Sequence, residues 1–222
     1  MKLFKKILIG ICILVFLTLS ISFFYLRHIT IRAIPDYNRD ISLENMKETV
    51  TIYRDVYAVP HIYAKNEEDL YRAVGYIMAQ DRLWQMDLLR RVTTGRLAEI
   101  FGAELVETDL LMRALRISEK SKAILAGSNP KIINTLEAFT DGINQFIEKN
   151  KNKLPPEFSI LGYKPEKWEI IHSLNVVGYM AWDLTMPWPF ELTLYKVAQK
   201  IGPGSERFKE LIPNINFQEP PV

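Results

Sequence analysis

Cys12 is the only cysteine among 222 residues, so no disulfide within the chain can staple its fold. Histidine is almost as scarce. His28, His61 and His172 stand far apart, and none falls in the close His-x-x-x-His spacing of a metal site. An excess of one charge is also missing: 28 Lys and Arg against 26 Asp and Glu leave +2, which excludes the broad basic surface of a nucleic-acid binder. Internal repeats and low-complexity tracts are absent. Apolar side chains are plentiful, 48% of the total, enough for a globular core, and the length suits one domain of ordinary size.

Charge is locally absent from Ile7–Leu26, twenty residues that just span a bilayer core. Lys2, Lys5 and Lys6 precede this run, while Arg27 and Arg32 follow it. That bias favours an inner N-terminus, with everything after Leu26 outside the cytoplasm. Ser20-Ile21-Ser22 is the best small-x-small exit for a signal peptidase, yet it lies late in a long span. The reading favoured is a signal anchor over residues 1–26, with a cleaved signal and a secreted product as the alternative. Ile11 ahead of Cys12 is a poor context for lipid attachment. Residues 27–48 read as a polar juxtamembrane linker and 49–222 as the folded domain.

The most informative stretch runs from Gly75 to Gly102. Counting an apolar seam from Leu70 through Val74, Ile77, Trp84 and Leu88 places Asp81 and Arg91 on it. A charge on a buried seam is costly unless paired and hydrogen-bonded. Asp81 is therefore expected to meet an arginine, with Arg82, Arg90, Arg91, Arg96 and Arg113 as candidates, in a structural rather than catalytic network. The alternative is a solvated face with the true seam rotated.

Around this stretch, the β-branched and aromatic runs Val50–Asp55 and His61–Ala64 read as two strands about a turn at Val56–Pro60. Asn66 looks like an N-cap for a helix running to about Val92 and stopping near Gly95. Asp109 and Ser118 are read as caps of two further helical stretches. Asn129-Pro130 is a strong start signal for a helix to about Asn150, with Ile132, Leu136, Phe139, Ile143 and Phe146 on one face. Residues 151–168 read as a loop. Glu169–Leu184, Glu191–Lys200 and Glu206–Leu211 read as helices, the first two interrupted at Met186–Phe190. The chain is thus α+β, mainly helical with one short N-terminal strand pair. A lone pair is marginal in water, so this one wants a larger sheet that the chain does not contain.

Ala79-Gln80-Asp81-Arg82-Leu83-Trp84-Gln85-Met86-Asp87-Leu88, followed by Gly95-Arg96-Leu97-Ala98-Glu99, resembles the signature of the penicillin acylase family. Arg54-Asp55 and Val59-Pro60-His61-Ile62 precede it. Glu157-Phe158, Leu161-Gly162-Tyr163, Pro165-Glu166, Trp168 and Met180-Ala181-Trp182 follow in order, so the likeness runs from about Val50 to about Pro213. The resemblance implies the helical first chain (α-chain) of a two-chain hydrolase, its strand pair joining a four-layer αββα N-terminal-nucleophile fold. The nucleophile would be a serine heading the second chain, the β-chain, and the substrate a small-molecule acyl amide. The present sequence stops at Val222, about where a spacer would follow, and no catalytic residue is assigned in it.

By the same resemblance Met180 matches an acyl-pocket methionine. Asp183 and Leu184 stand where some penicillin G acylases carry an Arg-Phe pair, and Glu191 matches a glutamate lent to a calcium site. Calcium would be structural, because the chemistry itself requires no cofactor. The bland readings are a core methionine and a glutamate favoured by the dipole of a helix first turn. Trp182, Trp188 and Phe190 read as core, and His61, Tyr53, Arg54 and Asp55 as fold residues. The competing functional readings are a membrane-anchored, non-catalytic helical binding module and an inactive gene fragment.

Overall fold

The computed structural model describes residues 2–185 and 188–211. Its N-terminus is one helix, α1 (Lys2–Ala33), of which Phe4–Ala33 is long and apolar enough to cross a membrane. Residues 27–48, read from sequence as a linker, are built into the fold instead. The helix continues to Ala33, and Ile41 and Leu43 pack against the core. The Glu44 N–H donates to Gln145 Oε1 (2.8 Å) and Gln145 Nε2 returns a bond to the Glu44 carbonyl (3.1 Å). The backbone amides of Lys47 and Glu48 donate to the buried carboxylate of Asp69 at 3.0 and 2.8 Å. Side-chain partners of this kind satisfy backbone groups that no regular element serves.

The strand pair forms as expected: β1 (Thr51–Arg54) and β2 (Pro60–Tyr63) are antiparallel, with Ile52 opposite Ile62 and Tyr53 opposite His61. Alternation gives it two faces. Ile52 and Ile62 turn toward the core, while Tyr53, His61 and Tyr63 face outward and are exposed. Among the described residues no third strand joins it.

The central helix is α2 (Glu67–Thr94). Asn66 caps it by accepting the Asp69 amide proton, and Gly95 ends it in the left-handed conformation (φ 62°). A side chain at Gly95 would also meet the Asp109 carbonyl at 2.5 Å, so glycine is required twice over. The helix is broken in phase at Arg82 (φ −139°, ψ 18°). Its buried residues include Ala73, Tyr76 and Ile77 before the break and Leu83, Met86, Asp87 and Arg90 after it. The seam is therefore rotated from the one counted through Val74, Asp81, Trp84 and Leu88.

Asp81 does meet an arginine, but none of the five expected. Arg54, at the end of β1, donates from Nη1 to Oδ2 (2.8 Å) and from Nη2 to Oδ1 (3.0 Å), and Tyr37 adds its hydroxyl at 3.2 Å. The Arg54 guanidinium also lies 4.1 Å from the Tyr37 ring centroid. With 15% and 21% of the two side chains exposed, the pair lies between a buried and a surface bridge. Asp81→Ala should therefore cost about 1–3 kcal/mol, between the two limits. Urea unfolding of the chain checks this, and a loss under about 0.5 kcal/mol would place Asp81 among surface pairs.

Past Gly95 come α3 (Ala98–Phe101) and α4 (Val106–Ala114). Asp109 does not cap α4. Its carboxylate takes the amide protons of Leu97 and Ala98, each at 2.8 Å, and so anchors the start of α3. Ser118 is not a cap either: α5 (Ile117–Ala126) follows Arg116 at φ 55°, and the Ser118 hydroxyl accepts from Asn175 Nδ2. Asn129 caps α6 (Pro130–Lys149) as read, although Ile132, counted on its buried face, is exposed. The span read as a loop holds α7 (Pro156–Ile160), begun by its prolines and pinned by buried Phe158. Packing of α2 on α6, with α7 and Trp168 alongside, makes the core of Tyr76, Ile77, Leu83, Met86, Ile143, Phe146, Leu154 and Phe158.

The chain divides into units Met1–Val177 and Gly178–Val222, with the boundary inside α8 (Ile170–Leu184). The second unit holds the end of α8, then α9 (Trp188–Ile201) and α10 (Glu206–Lys209), the last capped by Ser205. Met186 and Pro187 of the expected interruption, and Pro220–Val222, lie outside the described residues.

Candidate functional site

Met180, Asp183 and Leu184 occupy the last two turns of α8, three and four residues apart, and so share one helical face. All three are open to solvent, Met180 at 53% and Leu184 at 77% exposure. Glu191 lies in the first turn of α9, favoured there by the helix dipole, and is exposed. No cluster of three or more His, Cys, Asp or Glu able to hold a metal occurs among the described residues, so Glu191 is part of no such cluster within them. Phe190, read as core, is exposed on the same helix, as are Leu192 and Tyr195. Trp182 is half-buried, with its ring 5.8 Å from that of Tyr179.

His61 is bound into the hairpin turn. Its Nε2 lies 3.2 Å from Asp55 Oδ2, while Asp55 Oδ1 accepts the Tyr57 and Val59 amide protons at 2.9 and 3.0 Å. Asp55 is thus a turn residue, and its carboxyl sits below the ordinary range because His61 and these amides bond its charged form.

The charge network foreseen around Asp81 is centred six residues later, on Asp87. Arg90 and Arg91, both named as partners for Asp81, reach Asp87 instead, and Tyr163 donates its hydroxyl to it at 2.9 Å. All three charged groups are buried. Arg90 continues to Glu166, Arg91 to Glu99 (2.9 Å), and Arg96 clamps both Glu99 and Glu166. The bond from Arg96, with Arg90 behind it, pulls the Glu166 carboxyl down to about 2. Burial and the bond to Asp87 raise the Tyr163 phenol. His172 is lowered mainly by burial, and its neutral Nδ1 accepts the Glu169 amide proton. The network ties α2 to the segments around Arg96 and Glu166, and none of its members is left free for acid–base work.

Comparison with known proteins follows the same residues. Residues 49–218 match the sequence model described as penicillin amidase. The chain is 38% identical over 145 residues to penicillin acylase 2 proenzyme of Pseudomonas sp. (strain SE83), covering 65% of this chain and 19% of that protein. It is 30% identical over 180 residues to an acyl-homoserine lactone acylase of Pseudomonas fluorescens, covering 81% and 22%. A solved thermostable penicillin G acylase from Alcaligenes faecalis superposes with a TM-score of 0.61 at 27% identity, over 78% of this chain and 96% of the matched one. The chain therefore spans about a fifth of the length of these curated relatives (19% and 22%) but nearly all of the matched solved chain.

Proposed function

The chain belongs to the penicillin amidase family, and from that premise we propose that it is the helical first part of an acylase-type amide hydrolase completed by a second chain. The carrying observation is a pair of mismatches of one kind. The strand pair exposes Tyr53 and Tyr63 on its outer face with no further strand beside it among the described residues, and the end of α8 exposes Met180 and Leu184. A partner polypeptide would cover both. The near-complete match to a solved acylase chain of similar size supports a separate first chain.

In this reading the serine that heads the second chain attacks the acyl carbon. A hydroxyl needs a base at neutral pH, and an α-amine, with an ordinary pKa of about 7.7–8.0, is suited to take its proton. This chain supplies shape. Met180 and Leu184 would line the acyl pocket with Asp183 at its rim, and Glu191 would offer one carboxylate to a structural calcium otherwise held by oxygens of the partner. α1 would hold the enzyme on the outer face of the membrane. The names of the relatives point to two substrate classes, β-lactam side-chain amides and acyl-homoserine lactones.

The purified chain alone should not hydrolyse phenylacetyl or long-chain acyl amides, whereas the chain combined with a serine-headed second chain should. A hydrolysis screen across acyl length and aromaticity checks both halves and ranks the substrates. Turnover by this chain without a partner, abolished on replacing one of its own serines, would overturn the proposal.

A further inference from the structure

The end of α1 is docked, not tethered. Ile29 is only 3% exposed, the one strongly buried apolar residue among those described in α1, and α1 lies against α7. Leu26 closes the uncharged span, and at 1.5 Å per residue Ile29 stands only about 5 Å beyond it. The headgroup layer on each side of a bilayer is about 5–8 Å deep, the difference between a core of about 30 Å and a full thickness of about 40–45 Å. A domain gripping the helix at that level has no spacer to lift it clear of the lipid.

The surface around that exit mixes apolar and charged side chains. Thr30, Ala33 and Ile34 of the anchor and its extension line a groove of about 620 Å³ together with Tyr57, Ala58, Val59 and Pro60 of the β1–β2 turn, and Arg54, Asp81, Arg82 and Glu157 share that lining. Val56 and Tyr57 are 93% and 85% exposed, and Val59, Ile31 and Ile34 are also open, as is Ile160 at the end of α7. The tip is hydrogen-bonded in place: Asp55 accepts the Tyr57 and Val59 amide protons, and Arg54 Nη1 donates to the Ala58 carbonyl at 3.0 Å while also holding Asp81. None of these bonds requires a valine and a tyrosine to be displayed to water. Tyrosine is favoured where hydrocarbon meets headgroups, and apolar patches of this kind mark interaction surfaces.

We infer that the β1–β2 turn, Asp55–Val59, is a second membrane contact, seated in the lipid interface beside the anchor and fixing the domain's orientation on the membrane. The occupant is the lipid surface, because the patch is continuous with the span that enters it. The inference rests on α1 being an uncleaved anchor. It gives the turn a use that the strand pair does not supply, since strand pairing engages the sheet edges and not the tip.

The test uses the full chain in phosphatidylcholine–phosphatidylglycerol vesicles, in a Cys12→Ser background, with single cysteines carrying an environment-sensitive fluorophore. Tyr57→Cys and, as a second variant, Val56→Cys replace exposed side chains and leave the fold intact. Phe16→Cys reports the span. Lys131→Cys is the remote control: Lys131 pairs with Glu67 (2.9 Å), about 20 Å along α2 from Gln80, which lines the groove. Probes at 57 and 56 should shift to the blue and lose most of their emission to quenchers near the headgroups, while the probe at 131 stays water-like. Quenching at 16 with water-like emission at 57 and 56 overturns the seat and leaves the anchor standing. Absence of quenching at 16 overturns the anchor, and the seat with it. Equal quenching at 57 and 131 overturns a fixed orientation.

Discussion

Replacing Asp87 by alanine is expected to cost about 3–5 kcal/mol, because it leaves buried cations without their main counterion. Asp87 accepts from Arg90 Nε (3.1 Å), Arg91 Nε (3.2 Å) and the Tyr163 hydroxyl (2.9 Å), and carboxylate and guanidinium groups alike are buried. Glu166 and Glu99 retain one bond each to the two arginines, but both carboxylates are about half exposed and compensate only in part. Asp87→Asn keeps the shape and loses the charge, so it should fall in the same range, whereas Glu99→Ala should stay near 0–1 kcal/mol. Urea unfolding of the three variants gives the order. A loss at Asp87 no larger than at Glu99 would show the network to be solvated.

Acid should loosen the same network. The folded Glu166 carboxyl lies at about 2, below its ordinary 4.5, so what it contributes is present above pH 4.5 and is lost as pH falls toward 2. His172, lowered by burial, acts in the same direction below its ordinary 6.5, since protonation removes the acceptor that holds the Glu169 amide.

Signals that act within one helical turn are legible in the sequence. Asn66, Gly95 and Asn129-Pro130 each dictate a local backbone, and each appears where it was read. What the sequence concealed is non-local. Asp81 was rightly expected to need an arginine, but Arg54 lies 27 residues back, at the end of a strand, where no helical count reaches. The break at Arg82 shifts the phase of α2, so an apolar seam counted straight through it lands on Asp81 and misses Asp87. Asp109 looked like the cap of the helix that contains it and instead serves the helix before, because an acidic side chain binds whichever free amides the fold brings to it. Met180, Asp183, Leu184 and Glu191 came from resemblance alone. Periodicity has no means of marking a residue that its own chain leaves exposed.

Gly142→Ala is the second large effect expected, and its sign opposes the local rule. In a helix interior alanine is favoured over glycine by about 1 kcal/mol. At position 142, however, an added Cβ would lie 2.0 Å from the Arg72 carbonyl oxygen and 2.9 Å from both the Arg72 carbonyl carbon and the Tyr76 amide nitrogen. Across the same crossing, a Cβ at Gly75 would lie 2.0 Å from the Phe139 carbonyl oxygen. These are backbone atoms and cannot swing aside as a flexible side chain can, so α2 and α6 would have to separate. Separation opens the contact of Tyr76 on Phe146 (5.4 Å between ring centroids) and stretches the Arg72 Nε bond to Asp141 (2.7 Å). Overpacking of this kind costs about 1–3 kcal/mol or more, enough to outweigh the gain in helix propensity. Gly127→Ala is the matched control, since its nearest neighbour would stand at an ordinary 3.8 Å and its stability should change by less than about 0.5 kcal/mol. If Gly142→Ala unfolds at the same urea concentration as the parent, or at a higher one, the two helices do not meet backbone to backbone and the core is held apart by side chains alone.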